Sequence, residues 1–461
     1  MWDSPTRPGA VRGPYGVLMT QSAAGGGLPR PSAQPLTDTE RAVDELLDAA
    51  RLCAPHELPG LLARHGERLG VVGAVAYLAD LQQDVLVPFL GSQGPAMHET
   101  VVVLGVDGTL AGRAYQQVEV LTQELPGGRV RVWLPLLDGS DRLGVLSVTV
   151  SDPADLQAAG GVLLTRLKRF ASMTAELVMT NTLHGDTLVR LRRRGVMGLA
   201  AEMQWSLLPP LTFACHEVTV AAALEPAYEV AGDTVDYSAD AGWVRVAVLD
   251  GMGHGLQSAQ LASLAVAAYR NARRSERRLT ETAQAVDAAV FAGFAGEAFT
   301  TAVLAELNTD TGVLSWVNAG HPEPLLLRGG RLVKVLHTEP AAPLGLGLGL
   351  AEAALEPAVG DGPAGAGARS FVVGVEHLEP GDRVLFYTDG VIEARSPDGD
   401  FYGVERLVEL LVRHLTGGLP TPETMRRVVR ALLAHQQGQL TDDATLLLLE
   451  WRSGTEHALL P

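Results

Sequence analysis

Val248-Leu249-Asp250-Gly251-Met252-Gly253-His254-Gly255 is an apolar run that stops at a carboxylate and turns on glycines. The run Trp243–Leu249 has a buried strand's composition, and the alanine-rich Leu256–Arg274 after the turn has helical spacing. Asp250 therefore stands at the edge of a strand. Three further acidic groups stand at similar edges: Gly232-Asp233 with Asp236, Thr388-Asp389-Gly390, and Thr441-Asp442-Asp443-Ala444-Thr445. Around them, strands are expected at Val218–Leu224, Thr300–Leu307, Gly312–Asn318, Asp382–Thr388 and Ala444–Trp451. Helices are expected at Ala200–Leu208, Thr280–Phe294 and twice within 403–437.

Aspartate often caps helices and opens turns, which would explain any one of these acids alone. Taken together, each lies beside a small residue that lets oxygen ligands approach closely. Such a set suits hard cations, Mg²⁺ or Mn²⁺, which take carboxylate, carbonyl and water oxygens. No His or Cys cluster suits zinc, and no glycine loop with lysine of the Walker type is present. Two ions about 3.5–4 Å apart would polarise a phosphoryl oxygen and activate a water, so a divalent-metal phosphatase site is expected.

Composition sets the outer bounds. At 461 residues the chain exceeds one ordinary core, and 47% hydrophobic residues suffice to fold without disulfides. Cys53 and Cys215, the two cysteines, lie far apart, which fits a reducing, cytoplasmic setting. No apolar run approaches the roughly 20 residues that span a bilayer, so no membrane association is expected. Residues 1–36 lack a signal-peptide core and read as a flexible tail, and 453–461 as a second. The net charge of -17 repels polyanions and argues against nucleic acid. Two basic patches, Arg190 with Arg192-Arg193-Arg194 and Arg273-Arg274 with Arg277-Arg278, fit either solvated helix faces or an acidic protein partner.

In the N-terminal half, Thr37-Asp38-Thr39-Glu40 opens two helical segments that run to about Leu69. Strands at Val71–Leu78 and Asp84–Phe89, a helix over Thr109–Val118, and a hairpin of Arg129–Leu136 with Leu143–Val150 follow. This order resembles the GAF family of small-ligand sensor domains, through Gly112-Arg113-Ala114-Tyr115 and the Leu134-Pro135-Leu136 to Gly144-Val145-Leu146 hairpin. The resemblance implies a sensor of α/β/α layers over 37–154 that either takes an unknown small ligand or only dimerises. Residues 155–205 read as a helical connector, breakable at Gly160-Gly161 and Gly195. Leu163, Leu167, Phe170, Leu177, Leu188 and Leu191 on it suit a core-facing stripe or a helix–helix seam, and a homodimer through the connector is the expectation.

Asp250-Gly251-Met252-Gly253-His254-Gly255, Asn318-Ala319-Gly320-His321-Pro322, Pro343-Leu344-Gly345, Gly381-Asp382 with Tyr387–Ala394, and Thr441–Thr445 together resemble the PP2C-like SpoIIE/RsbU-type serine/threonine phosphatases. The resemblance covers about 200–452. It implies an α+β chain whose domain at 206–452 is an α/β sandwich, two packed, mainly antiparallel sheets flanked by helices. It makes Asp250 the acid bridging two Mn²⁺ or Mg²⁺ ions, and the Gly251 carbonyl a ligand of the second. Asp389 and Asp442 would hold one ion, Asp233 would place the other or its waters, and Asp443 would stand beside the ligands. Asp250, Asp389 and Asp442 are thus the catalytic set, and metal-bound hydroxide would attack phosphoserine or phosphothreonine in one step. The substrate implied is a phosphorylated regulatory protein, an anti-sigma-factor antagonist of the STAS type, with activity set by the N-terminal domain. A non-catalytic binding module and a small-phosphoester phosphatase are the rival readings. Two departures from the family pattern stand out: Ala231, Thr234 and Val235 around Asp233, and an Ala-, Gly- and Pro-rich insertion at 351–368. His254 and His321 are expected to shape turns rather than to move protons.

Overall fold

Alternation at period two builds the C-terminal half. The computed structural model describes residues 38–91, 102–229, 232–339, 341–347, 371–438, 440, 442–452 and 459–460. The expected tail at 1–36, Thr37, Ala231, the 351–368 insertion and most of 453–461 lie outside the described residues.

In the N-terminal half the strands are β1 Gly73–Ala79, β2 Val85–Pro88, β3 Leu104–Gly105, β4 Leu121–Glu124, β5 Val130–Asp138 and β6 Asp141–Val150. They form one antiparallel sheet in the order β3-β2-β1-β6-β5-β4. The helices Asp38–Ala50, Leu58–Arg68 and Val162–Thr182 cover one face through Leu46, Leu62, Leu167 and Phe170. The helix Leu110–Gln117 covers the other, with Tyr77, Tyr115 and Trp133 filling the space beneath it. Thr109 caps that helix by accepting from Gly112 N at 2.9 Å. Gly112 has no substitute, because a Cβ there would lie 1.9 Å from the Val106 carbonyl oxygen.

The connector is helical, with breaks at both expected places and one more at 183–186. Residues 155–205 hold four helices, Ala154–Gln157, Val162–Thr182, Thr187–Arg192 and Leu199–Leu207, broken at Gly161, at 183–186 and at 193–198. Leu163, Leu167, Phe170, Leu177, Leu188 and Leu191 all pack into the core of the N-terminal sheet. Leu167, Phe170 and Leu188 are buried within one chain, and Leu163, Leu177 and Leu191 stay partly exposed.

The remaining strands are β7 Thr212–Ala214, β8 Val218–Glu225, β9 Asp233–Asp240, β10 Trp243–Gly251, β11 Thr300–Asn308 and β12 Val313–Ala319. They continue with β13 Leu325–Arg328, β14 Arg331–Val335, β15 Gly374–His377, β16 Arg383–Tyr387 and β17 Ala444–Trp451. One sheet runs β15-β12-β11-β10-β9 and the other β14-β13-β16-β17-β8-β7, with every neighbouring pair antiparallel. Val244, Val246 and Val248 of β10 face Val220, Phe386, Leu447 and Leu449 across the middle of the sandwich. Ala247 and Leu249, on the opposite face of β10, meet the helices Leu256–Arg274 and Leu279–Phe294. Leu385, Leu446 and Leu448 of the second sheet meet Gly403–Thr416 and Thr421–His435 in the same way. The expected α/β sandwich of antiparallel sheets is therefore present. Among the described residues, no helix is long and apolar enough to cross a membrane.

Candidate active site

At one end of the sandwich the inward-facing rows change from apolar to polar. Val235 is followed at the next inward position by Asp233, Val248 by Asp250, and Val303 by Thr301. In the facing sheet Phe386 is followed by Thr388, and Leu447 by Thr445. Register brings the first set together, since Asp250 lies opposite Asp233 on β9 and Thr301 on β11. Asp389 opens the short helix Asp389–Ile392 just after β16, and Asp442 lies just before β17. Two acids from each sheet thus meet at one edge.

Two close backbone approaches and several side-chain hydrogen bonds hold them there. A Cβ on Gly232 would lie 2.4 Å from the Gly251 carbonyl oxygen, and one on Gly390 would lie 1.9 Å from that of Asp443. Asp443 Oδ2 accepts from Gly232 N at 2.9 Å, tying the turn before β9 to the other sheet. Buried Ser258 donates to the Gly251 carbonyl at 2.7 Å, which leaves one lone pair of that oxygen for another partner. Thr388 Oγ1 donates to Asp233 Oδ2 at 2.6 Å, a direct bond between the two sheets.

The electrostatics are unbalanced. Burial, then the Asp250 and Asp443 charges, push Asp233 well above the ordinary carboxylate range. Burial, then Asp389, Asp442 and Asp443, push Asp250 up to about 7. Asp389 is raised by burial and by Asp442, and Asp442 by burial, Asp443 and Glu393. No ion pair reaches Asp233, Asp250, Asp389 or Asp442 among the described residues. Like charges gathered without a base are what a bound cation relieves, and an all-oxygen set fits Mg²⁺ or Mn²⁺. Among the described residues, no three His, Cys, Asp or Glu side chains close on one point.

Not every expected neighbour belongs to the set. Asp233 and Asp236 were expected in a loop but lie on strand β9, three positions apart, so their side chains leave by opposite faces. Asp236 is buried against the helix behind, paired with Arg270 at 2.7 Å and Arg273 at 3.3 Å. It balances charge there and takes no part in the site. The basic patches are similarly engaged: Arg193 pairs with Glu202, Arg278 with Glu281, and Arg192 donates to the Ala79 carbonyl. His254 is exposed on the glycine turn. His321 lies in a turn bridged by Asn318, whose side chain accepts from His321 N and donates to its carbonyl, each at 2.8 Å. Burial pulls the His321 ring down to about 3, so it stays neutral at physiological pH, with Nδ1 bonded to Thr301 Oγ1 at 2.8 Å. The residues missed from sequence are Thr388, Ser258, Thr301 and Thr445. For the three threonines the signal was available, since each inward row ends in a polar residue, whereas Ser258 lies on the helix after the glycine turn.

Residues 240–452 match the family described as Stage II sporulation protein E. Those residues are similar to a SpoIIE-type phosphatase domain. Phosphoserine phosphatase RsbU of Bacillus subtilis is 24% identical over 251 residues, covering 54% of this chain and 68% of RsbU. Protein IcfG of Synechocystis is 29% identical over 150 residues, 32% of this chain and 20% of IcfG, so the chain spans only a fifth of that relative. The SiaA-PP2C domain of Pseudomonas aeruginosa aligns over 55% of this chain and 94% of its own, at 20% identity and a TM-score of 0.42. The matched span contains Asp250, Asp389, Asp442 and Asp443, while Asp233 falls just before it.

Proposed function

We propose that the chain is a metal-dependent protein serine/threonine phosphatase acting on a phosphorylated regulatory protein. The observation that carries this is the meeting, at one edge, of Asp233 and Asp250 from one sheet with Asp389 and Asp442 from the other, without a basic partner. Asp250 would serve both ions, Asp389 and Asp442 would hold one, and Asp233 with the Gly251 carbonyl would serve the other. Bound there, Mn²⁺ or Mg²⁺ would lower the pKa of water and offset the phosphoryl charge. The carboxylates would orient that chemistry, and their raised proton affinity would make ion binding compete with protons. Asp443 would act by holding the turn before Asp233. Neutral His321 cannot donate a proton near pH 7 and would stiffen the floor of the site through Thr301.

The substrate we favour is an anti-sigma-factor antagonist of the STAS type, by analogy with RsbU, in a cytoplasmic setting. The α/β/α half at 38–150 would serve as a GAF-like regulatory domain. Tyr77, Tyr115 and Trp133 fill its space under the Leu110–Gln117 helix. A small signal would find more room in the cleft of ≈ 980 Å³ that Thr122, Glu124 and Lys168 share with Gly417-Gly418-Leu419.

The test is hydrolysis of p-nitrophenyl phosphate and of a phosphoserine protein, with and without Mn²⁺, beside Asp389→Asn. Metal-dependent turnover that the variant loses by more than about 100-fold is expected, exceeding the range seen for residues one contact removed from a metal. Folded full-length protein that is inert on both substrates with saturating Mn²⁺ would leave a binding module as the better reading.

A further inference from the structure

Thr388 was expected only as the small residue before Asp389, yet its side chain points between the sheets and is fully buried. Its backbone N donates to the Thr445 carbonyl at 3.1 Å, and its Oγ1 accepts from Thr445 N at 3.0 Å. A hydroxyl has one proton. With its oxygen accepting from Thr445, that proton is directed at Asp233 Oδ2, 2.6 Å away. Asp233 is thus held from the opposite sheet at its carboxylate by Thr388, and at its own and the preceding amide by Asp443 Oδ2. The Thr445 side chain, from the same sheet, adds a weaker hydrogen-bonding influence on Asp233.

We infer that Thr388 is a positioning residue that acts through Asp233: its hydroxyl sets the spacing between the two carboxylate pairs and decides which Asp233 oxygen faces the ions. This rests on the metal-site reading above and adds the element that holds its two halves in register. A hydroxyl that served only to satisfy the Thr445 amide would have no influence on ion binding. One that sets the spacing must affect the ion served by Asp233 more than the ion served by Asp389 and Asp442.

The experiment is Mn²⁺ titration followed by electron paramagnetic resonance on full-length wild type, Thr388→Val, Thr388→Ser, Asp233→Asn and the Thr388→Val/Asp233→Asn double variant, with thermal melts of each. Wild type is expected to take up two ions that give a spin-coupled signal. Thr388→Val is expected to keep the first ion and to bind the second about 10- to 100-fold more weakly, the range for residues one contact from a metal. Thr388→Ser should stay near wild type. In the Asp233→Asn background the valine change should cost nothing further, the signature of one residue acting through the other. Two-ion binding by Thr388→Val at wild-type affinity overturns the inference while leaving the metal site standing. Wild type that binds no Mn²⁺ overturns both. Should the valine protein fail to fold, Thr388→Ser still decides, since a tenfold weaker second ion in that variant also overturns the role.

Discussion

Two clusters of charged side chains sit on the C-terminal sandwich, and they differ in whether their charges cancel. The first is the acid edge of Asp233, Asp250, Asp389 and Asp442. The second lies where the helix Thr421–His435 meets the N-terminal sheet. There Arg142 reaches Glu423 at 3.2 Å, and Arg426 bridges Glu423 at 2.9 Å and Asp107 at 2.7 Å. The Glu423 side chain is fully covered, and burial alone would raise its pKa. Hydrogen bonds from Arg426 and the charge of Arg142 overcome that and hold it below the usual range. Asp250 is pushed the other way, to about 7, by burial and by acids instead of bases. A cluster balanced by the chain itself joins structure to structure, whereas one left unbalanced can be neutralised only by charge from outside the chain.

The largest expected effect breaks the balanced cluster. Glu423→Ala leaves Arg142 and Arg426 buried without their shared acid and should cost about 3–5 kcal/mol, read from urea unfolding of the full chain. Converting the unbalanced cluster is next. Mn²⁺ at about 100 times its dissociation constant should stabilise wild type by about 2.7 kcal/mol. Asp250→Asn, with its central ligand gone, should gain much less in the same melts. Glu225, a third buried acid, offers the most pointed test. Burial, with a contribution from Asp80, raises it from an ordinary 4.5 to about 7, while Ala227 N and Gln82 donate to it. Since its folded pKa is the higher one, its stabilising contribution is complete below about pH 4.5 and is lost as pH rises through 7. Glu225→Gln should therefore match wild type near pH 4.5 and exceed it at pH 8, by at most about 3 kcal/mol. Equal stability at both values would mean that Glu225 ionises freely.

The same contrast separates what the sequence revealed from what it hid. The positions of Asp250 and Asp389 were legible because each closes a strand-like run beside a small residue, and that of Asp442 because it stands just before one, a local signal. The strands β8, β10, β11, β12, β16 and β17 were legible from alternation. Strand β9 was not, because Asp233 and Asp236 look like turn residues until their partners appear: Thr388 lies 155 positions away from Asp233, and Arg270 34 positions away from Asp236. The connector stripe was visible as apolar spacing, but spacing alone does not name the surface it covers. The Arg142–Glu423 contact joins residues 281 positions apart, and no local pattern marks either one.

Strand order carries a consequence for how the molecule is made. β17 is the last strand of the sandwich in sequence, yet it lies between β16 and β8 in the middle of its sheet. On a ribosome, β8 would emerge more than two hundred residues before the strand that pairs with it, and its edge would have to wait. Asp442 arrives with that same strand, two residues ahead of it. A nascent chain therefore gains its last acid and the centre of its sheet in one event, and a stalled or truncated chain would have neither.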